Sequence, residues 1–176
     1  MSGLKTEIAQ KRPFASVQEE AILNLMRTAD CVERAFQQAI RPWGITSTQY
    51  NALRILRGAH PEGLTCSAIG ERMVTAVPDI TRLLARLKAR HLIRQHRDRR
   101  DRRILWTDIS EAGLALLKEM DALIARMPRE LLGHLEEGEV GELIRLLEVA
   151  RVKCQGEAAG PTCDGTPACE GDTDHA

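Results

Sequence analysis

The spacing of apolar residues changes at Leu92, and that change restricts the fold more than any other feature of the chain. Before it, apolar residues recur three and four apart, the period of a helix buried on one face. Ile22, Leu25, Met26, Ala29, Val32, Phe36 and Ile40 form one such stripe; Tyr50, Leu53 and Leu56 form a second; Ile80, Leu83, Leu84 and Leu87 form a third. Over Leu92–Arg97 and Arg103–Ile109 the pattern reads as two short strands, and Leu105, Thr107 and Ile109 can face inward together. Helical spacing returns after Ser110. The expected fold class is mainly α with one small β-hairpin. Aromatic residues make up only 3% of the chain, so Leu, Ile, Ala and Val must fill the core, which suits helices.

Capping and breaking residues divide the helical part. Ser16 with Glu19 reads as a capping box, and so does Thr46 with Gln49. "RPWG" (41–44) breaks the first long helix, and "GAHPEG" (58–63) is a loop. A short helix is expected around Ser67–Met73, followed by a turn at "VTAV" and a helix over Pro78–Arg90, with Pro78 in its first turn. His91 is a plausible stop, because His tolerates the left-handed conformation. Ser110 caps a helix expected to end at Pro128, with a further turn in "PRELLGHL". Glu139–Lys153 is a final amphipathic helix carrying Val140, Leu143, Ile144 and Leu147. Residues 1–14 read as a flexible arm. Residues 154–176 have almost nothing to bury and read as a disordered acidic tail, which leaves 15–153 as one domain.

Two short helices joined by a turn and followed by a hairpin make a winged helix-turn-helix. Charge agrees with that reading. The formal net charge is zero, but five acids and no Lys or Arg follow Lys153, so residues 1–153 carry about +5 by formal count. Ten basic residues lie between Arg82 and Arg103, against Asp98 and Asp101. Such local charge is the footprint of a nucleic-acid partner. On the helix Pro78–Arg90, Asp79, Thr81, Arg82, Ala85 and Arg86 lie off the apolar stripe and are expected to face the DNA major groove. Arg82 can pair in a bidentate way with guanine. Thr81 can bond a phosphate or touch a thymine methyl, and Asp79 can cap the helix, orient Arg82 or accept from cytosine. The hairpin loop is then the wing. Arg97, Arg99, Arg100, Arg102 and Arg103 can enter a narrow minor groove, while Asp98 and Asp101 pair with arginines and brace the tip.

"GITSTQYNALRIL", "ITRLLARLKARHLIRQ", "DRRDRR" and "DISEAGLALL" occur in the order and spacing of the MarR-type transcriptional regulators, and the chain resembles that family over about residues 16–150. The family's wing pattern D-x-R-D-x-R is met by Asp98, Arg100, Asp101 and Arg103. The resemblance implies a homodimer in which the first and last helices interlock. It implies binding to a pseudo-palindromic double-stranded DNA operator, with many members acting as repressors released by phenolic or other aromatic ligands or by oxidation. The chain departs from the pattern at "VPDITR", where Pro78 and Asp79 replace small hydroxyl or basic residues. It also lacks the cysteine of the peroxide-sensing branch, whose position corresponds to about Ile22.

Trp43 is a candidate for lining a ligand cavity beside the dimer helices, or for wedging the first helix against the second. Arg34 and Gln38 could meet an anionic ligand. Cys31, on the same helix, reads as a buried thiol, with a ligand contact or a redox switch as the sharper alternatives. Cys66 precedes a helix start, which lowers a thiol pKa. Cys154, Cys163 and Cys169, with His175, match no zinc spacing, so no metal or cofactor is expected. No phosphate loop and no H-E-x-x-H is present, so no enzyme is expected. No apolar run reaches ~18 residues and no secretory leader is seen, so the expectation is a cytoplasmic protein without a membrane span. A thiol-based regulator on the same scaffold and a winged helix used as a protein–protein module are the alternative readings.

Overall fold

The structure, a computed structural model, describes residues 3–155, which divide into two compact units at the boundary between Leu131 and Leu132. In the first unit, helix α1 (Gly3–Glu7) precedes the long helix α2 (Val17–Ile40) and a 3₁₀ turn (Arg41–Trp43). Helix α3 (Ser47–Gly58), strand β1 (Leu64–Thr65), and helices α4 (Cys66–Glu71) and α5 (Ile80–Ala89) follow. Strands β2 (Ile93–Arg97) and β3 (Leu105–Ile109) form the hairpin, and helix α6 (Glu111–Leu132) leaves it. The second unit holds helix α7 (Glu137–Gln155). Among the described residues, no helix is long and apolar enough to cross a membrane.

The helix ends are chemically defined. Ser16 Oγ accepts from the Glu19 amide at 3.1 Å, and the Glu19 carboxylate reaches back to the Ala15 amide. At α3 the capping box is complete: Thr46 Oγ1 accepts from the Gln49 amide at 3.2 Å, and Gln49 Oε1 accepts from the Thr46 amide at 3.1 Å. Helix α5 ends in a Schellman arrangement. His91 has φ 58°, its amide donates to the Lys88 carbonyl, and the Leu92 amide donates to the Leu87 carbonyl. Ser110 caps α6 through the Gly113 amide (3.1 Å) and donates to the His91 carbonyl (2.7 Å). Gly113 is required there, because a Cβ would meet the Leu92 carbonyl and lie 2.7 Å from Ile109 Cγ1.

The sheet is antiparallel with order β1-β3-β2, in the register Ile93↔Ile109, His96↔Trp106 and Arg97↔Leu105. One core joins its inner face to the helices. Ile40, Leu53, Leu56, Ile69, Leu84, Leu87, Leu117 and Met120 are fully buried at its centre. Burial of each such side chain contributes roughly 1.5–3 kcal/mol.

Several expectations are corrected. The segment read as a flexible arm contains α1, whose Leu4 is buried and whose Glu7 pairs with Arg27 of α2 at 3.6 Å. Strand β1 was not expected; its two residues pair with Thr107 and Trp106 of β3. Helix α6 does not stop at Pro128 but continues to Leu132, because one missing amide donor is outweighed by a continuous apolar face that includes buried Met127. Leu105 does not face inward with Thr107 and Ile109: it is 39% exposed while they are buried, because it lies opposite Arg97 at the outer end of the hairpin. Helix α7 runs through Cys154 to Gln155, two residues into the segment read as tail. Cys163, Cys169, His175 and the rest of that tail lie outside the described residues. The apolar stripe of α2 is buried only at its end: Ile40 is buried and Phe36 half-buried, whereas Ile22, Leu25, Met26 and Val32 are exposed. On α7, Leu143, Ile144, Leu146, Val149 and Val152 are exposed.

Candidate nucleic-acid interface

Helix α5 presents two faces of opposite character. Leu83, Leu84 and Leu87 are buried, while Thr81, Arg82, Ala85, Arg86, Lys88 and Ala89 are exposed. The expected groove-facing residues therefore share one free face, with Asp79 exposed just before it. Of the three roles open to Asp79, the structure has the cap: its Oδ1 accepts from the Arg82 amide at 2.8 Å. Pro78 accordingly precedes the cap rather than lying in the first helical turn, and the helix begins at Ile80. The connection from α4 spans residues 72–79, longer than the turn expected. It is pinned by Asn51 of α3, whose Oδ1 accepts from the Val74 amide at 2.9 Å.

The wing is ordered by carboxylates, although not through arginine side chains as expected. Asp98 Oδ1 accepts from the amides of Arg100 (2.7 Å) and Asp101 (3.0 Å), and its Oδ2 accepts from the Trp106 indole at 3.1 Å. Asp101 Oδ1 accepts from the Arg103 amide at 2.9 Å. Short side chains beside a tight loop reach backbone amides more readily than they reach long, solvated guanidinium groups. The amides of Asp101 and Arg100, and then the indole, hold the Asp98 carboxyl below the usual carboxylate range. Trp106 is half-buried and gives the wing its indole donor. Arg97 is used internally, donating to the Arg102 carbonyl at 2.5 Å. Arg99, Arg100, Arg102 and Arg103 are exposed, and among the described residues none forms an ion pair. At the wing's base His96 Nδ1 lies 3.1 Å from Asp108 Oδ2.

Between α5 and the wing lies an open hollow of about 460 Å³ lined by Thr81, Ala85, Lys88, Ala89, Gln95 and Leu105. Lys88 supplies the positive charge of an otherwise uncharged lining. Cys66, half-buried at the start of α4, has its Sγ 3.8 Å from Thr81 Oγ1.

The residues considered for a ligand are distributed differently. Trp43 packs partly buried against the core, and its indole donates to Glu119 Oε2 of α6 at 3.3 Å. Arg34 pairs with Asp30 at 2.8 Å and lies 3.6 Å from Cys31 Sγ. Cys31 is exposed, not buried, because the core-packed residues of α2 are Phe36 and Ile40, more than a turn beyond it. Gln38 is exposed as well. None of the four lines the hollow between α5 and the wing.

Sequence reasoning missed Asn51 and Arg90. The Arg90 guanidinium donates to the carbonyls of Gly44 (2.6 Å) and Trp43 (3.2 Å). Neither residue breaks the helical spacing, so neither stands out in the chain.

A helix with a basic free face, set behind a pinned turn and beside a braced basic hairpin, defines a winged helix-turn-helix DNA-binding protein. Comparison with known proteins is consistent with this. The model of the MarR family matches residues 43–104. The HTH-type transcriptional regulator TtmR of Methylorubrum extorquens (strain PA1) is 30% identical over 134 residues, covering 69% of this chain and 68% of its own. A MarR transcription factor from Planctomyces limnophilus has a similar structure, with 38% identity and TM-score 0.60 over 78% of this chain and 99% of that one. A mutant MarR from E. coli complexed with operator DNA shares the fold at 21% identity and TM-score 0.67, over 85% of this chain and 99% of that one. The chain belongs to the MarR family of DNA-binding transcriptional regulators.

Proposed function

We propose that the protein is a repressor that binds a pseudo-palindromic operator as a homodimer and is released by a small aromatic or phenolic ligand. The observation that carries the DNA-reading part is the shared free face of α5, with Arg82 one turn from a capped helix start, together with four exposed wing arginines. Arg82 reads a guanine edge in the major groove, with Thr81, Ala85 and Arg86 beside it. Asp79 fixes the helix start. Arg99, Arg100, Arg102 and Arg103 supply the minor-groove and phosphate contacts, and Asp98 and Asp101 hold the loop that carries them. A solved relative bound to operator DNA supports this placement by analogy of fold.

The homodimer reading is supported by the exposed apolar residues of α2 and of α7, which monomeric surfaces rarely leave uncovered over such lengths. Two copies related by a twofold axis would present two α5 helices roughly 34 Å apart, one DNA turn. A ligand shifts such an equilibrium only by its differential affinity for the two states.

The test is selection of bound genomic fragments by the purified full-length protein at two salt concentrations. A palindromic site whose affinity falls steeply with salt supports the reading. A flat salt profile sinks it in favour of a protein–protein module. Loss of binding on peroxide treatment that Cys31→Ser abolishes would replace the ligand by a thiol switch.

A further inference from the structure

We propose that Arg90 is a positioning residue for DNA reading: it clamps the C-terminal end of α5 to the turn that ends α2, and so sets the angle at which α5 meets the groove. This rests on the reading of α5 as the recognition helix.

Arg90 is the C-cap of α5, and its amide donates to the Arg86 carbonyl. The left-handed His91 turns the chain sharply away, which leaves the Arg90 side chain to reach across the lobe. Its two terminal nitrogens grip two successive carbonyls, Trp43 and Gly44, 47 and 46 residues away in the chain. Those carbonyls lie at the C-terminal end of the 3₁₀ turn, where carbonyls lack helical partners and the local dipole favours a cation. Gly44 is left-handed at φ 65°, the conformation that ends the turn there. A guanidinium fits this seat better than an ammonium, because its planar fork satisfies two fixed acceptors at once.

The seat is itself anchored. The Trp43 indole donates to Glu119 of α6, so the gripped turn is tied to a second long helix. Before its other end, Asn51 of α3 holds the connection at Val74, and Asp79 caps the first turn of α5 locally. The Arg90 fork is thus the polar tie that reaches from the end of α5 itself to another element of the lobe. The buried leucines fix its depth, but an apolar stripe alone tolerates rotation and sliding, whereas directional hydrogen bonds do not. Arg90 is exposed and basic, so it reads superficially as one more phosphate contact. Its two carbonyl bonds argue that the guanidinium is already committed.

The experiment compares Arg90→Lys, Arg90→Ala and Arg82→Ala in the full-length chain. Affinity is measured for the genomically selected site and for a random duplex over a salt series, well below each variant's thermal midpoint. Arg90→Lys keeps the charge and loses the fork. It is expected to lower affinity for the selected site about tenfold, comparable to loss of a charged hydrogen bond, with an unchanged salt slope. In ¹H–¹⁵N spectra the Trp43 indole resonance shifts while that of Trp106 stays in place. Arg90→Ala is expected to do the same and more; should it fail to fold, Arg90→Lys alone decides.

Wild-type affinity in folded Arg90→Lys overturns the clamp, as does a thermal midpoint that falls with no change in affinity. A salt slope reduced by about one in Arg90→Ala would make Arg90 a phosphate contact instead. If Arg82→Ala changes sequence preference while Arg90→Lys does nothing, α5 remains the reader and only the clamp falls. If Arg82→Ala changes nothing, the α5 assignment falls and takes the clamp with it.

Discussion

Helix α5 and the wing both expose arginines, but they are held in place by different forces. Helix α5 buries Leu83, Leu84 and Leu87 in the core and leaves its basic face free. The wing buries almost nothing near its tip: residues 99–105 are all exposed. Its order comes from the Asp98 and Asp101 carboxylates bonded to loop amides and from one indole. Apolar burial ties a segment to the stability of the whole domain, whereas surface hydrogen bonds order a loop locally at little cost to folding. On the proposed reading of the wing as a DNA contact, its bonding also answers why such a loop tolerates negative charge. Each carboxylate is taken up by amides, so the loop reaches its DNA with fewer rotamers left to freeze.

The comparison breaks first at Leu84, which is fully buried. Leu84→Ala is expected to destabilise the domain by about 2–5 kcal/mol, visible as a lower urea midpoint, with the wing lost in the same transition. A variant of unchanged stability would mean that α5 is not tied to the core. Arg82→Ala addresses the free face. It is expected to leave the urea midpoint unchanged and to cost about 1–3 kcal/mol of discrimination at one base pair. An unaltered site preference in the selection experiment removes Arg82 as a base reader.

The wing should behave the other way. Asp98→Ala removes three hydrogen bonds and is expected to weaken binding about tenfold, while Asp101→Ala removes one and weakens it about two- to threefold. Both should leave the unfolding midpoint nearly unchanged. If Asp98→Ala lowers the midpoint as Leu84→Ala does, the wing is part of the core's cooperative unit and the contrast disappears. If the two aspartate variants bind alike, the bracing by Asp98 is not what matters.

What could be read from the chain follows the range of each interaction. Caps are local, so Thr46 with Gln49 and the left-handed His91 are legible from neighbours a few residues away. The buried stripe of α5 is periodic and therefore visible. Asn51 and Arg90 are not legible, because they act across 23 and 46 residues through side chain–backbone bonds that leave no period. Strand β1 is too short to establish an alternation. The exposure of Cys31 was hidden for another reason. An apolar stripe shows that a helix face seeks burial, but among the described residues α2 reaches the core only through Phe36 and Ile40. The same ambiguity affected the wing aspartates: their bracing role was legible, but their bonding to amides rather than to guanidinium groups depends on loop geometry.

Acid should separate the two regions in a single sample. The Asp98 carboxyl is held below its usual value of about 3.9, first by the Asp101 and Arg100 amides and then by the Trp106 indole. A depressed carboxyl contributes its stabilisation fully above the unfolded value, and that contribution is lost as pH falls through the lower, folded one. Wing order should therefore be constant from pH 8 to about 5 and fail only below about 4. The amide resonances of Arg100 and Asp101 and the Trp106 indole report this directly, with the amides of Leu84 and Leu87 as the reference for the core. The expected result is a shared wing transition with its midpoint below 3.9, while the core amides keep their protection. A wing midpoint at or above the ordinary carboxylate value would mean that the amides do not hold Asp98 ionised. Simultaneous loss of wing and core signals would mean that the loop has no independent order to lose.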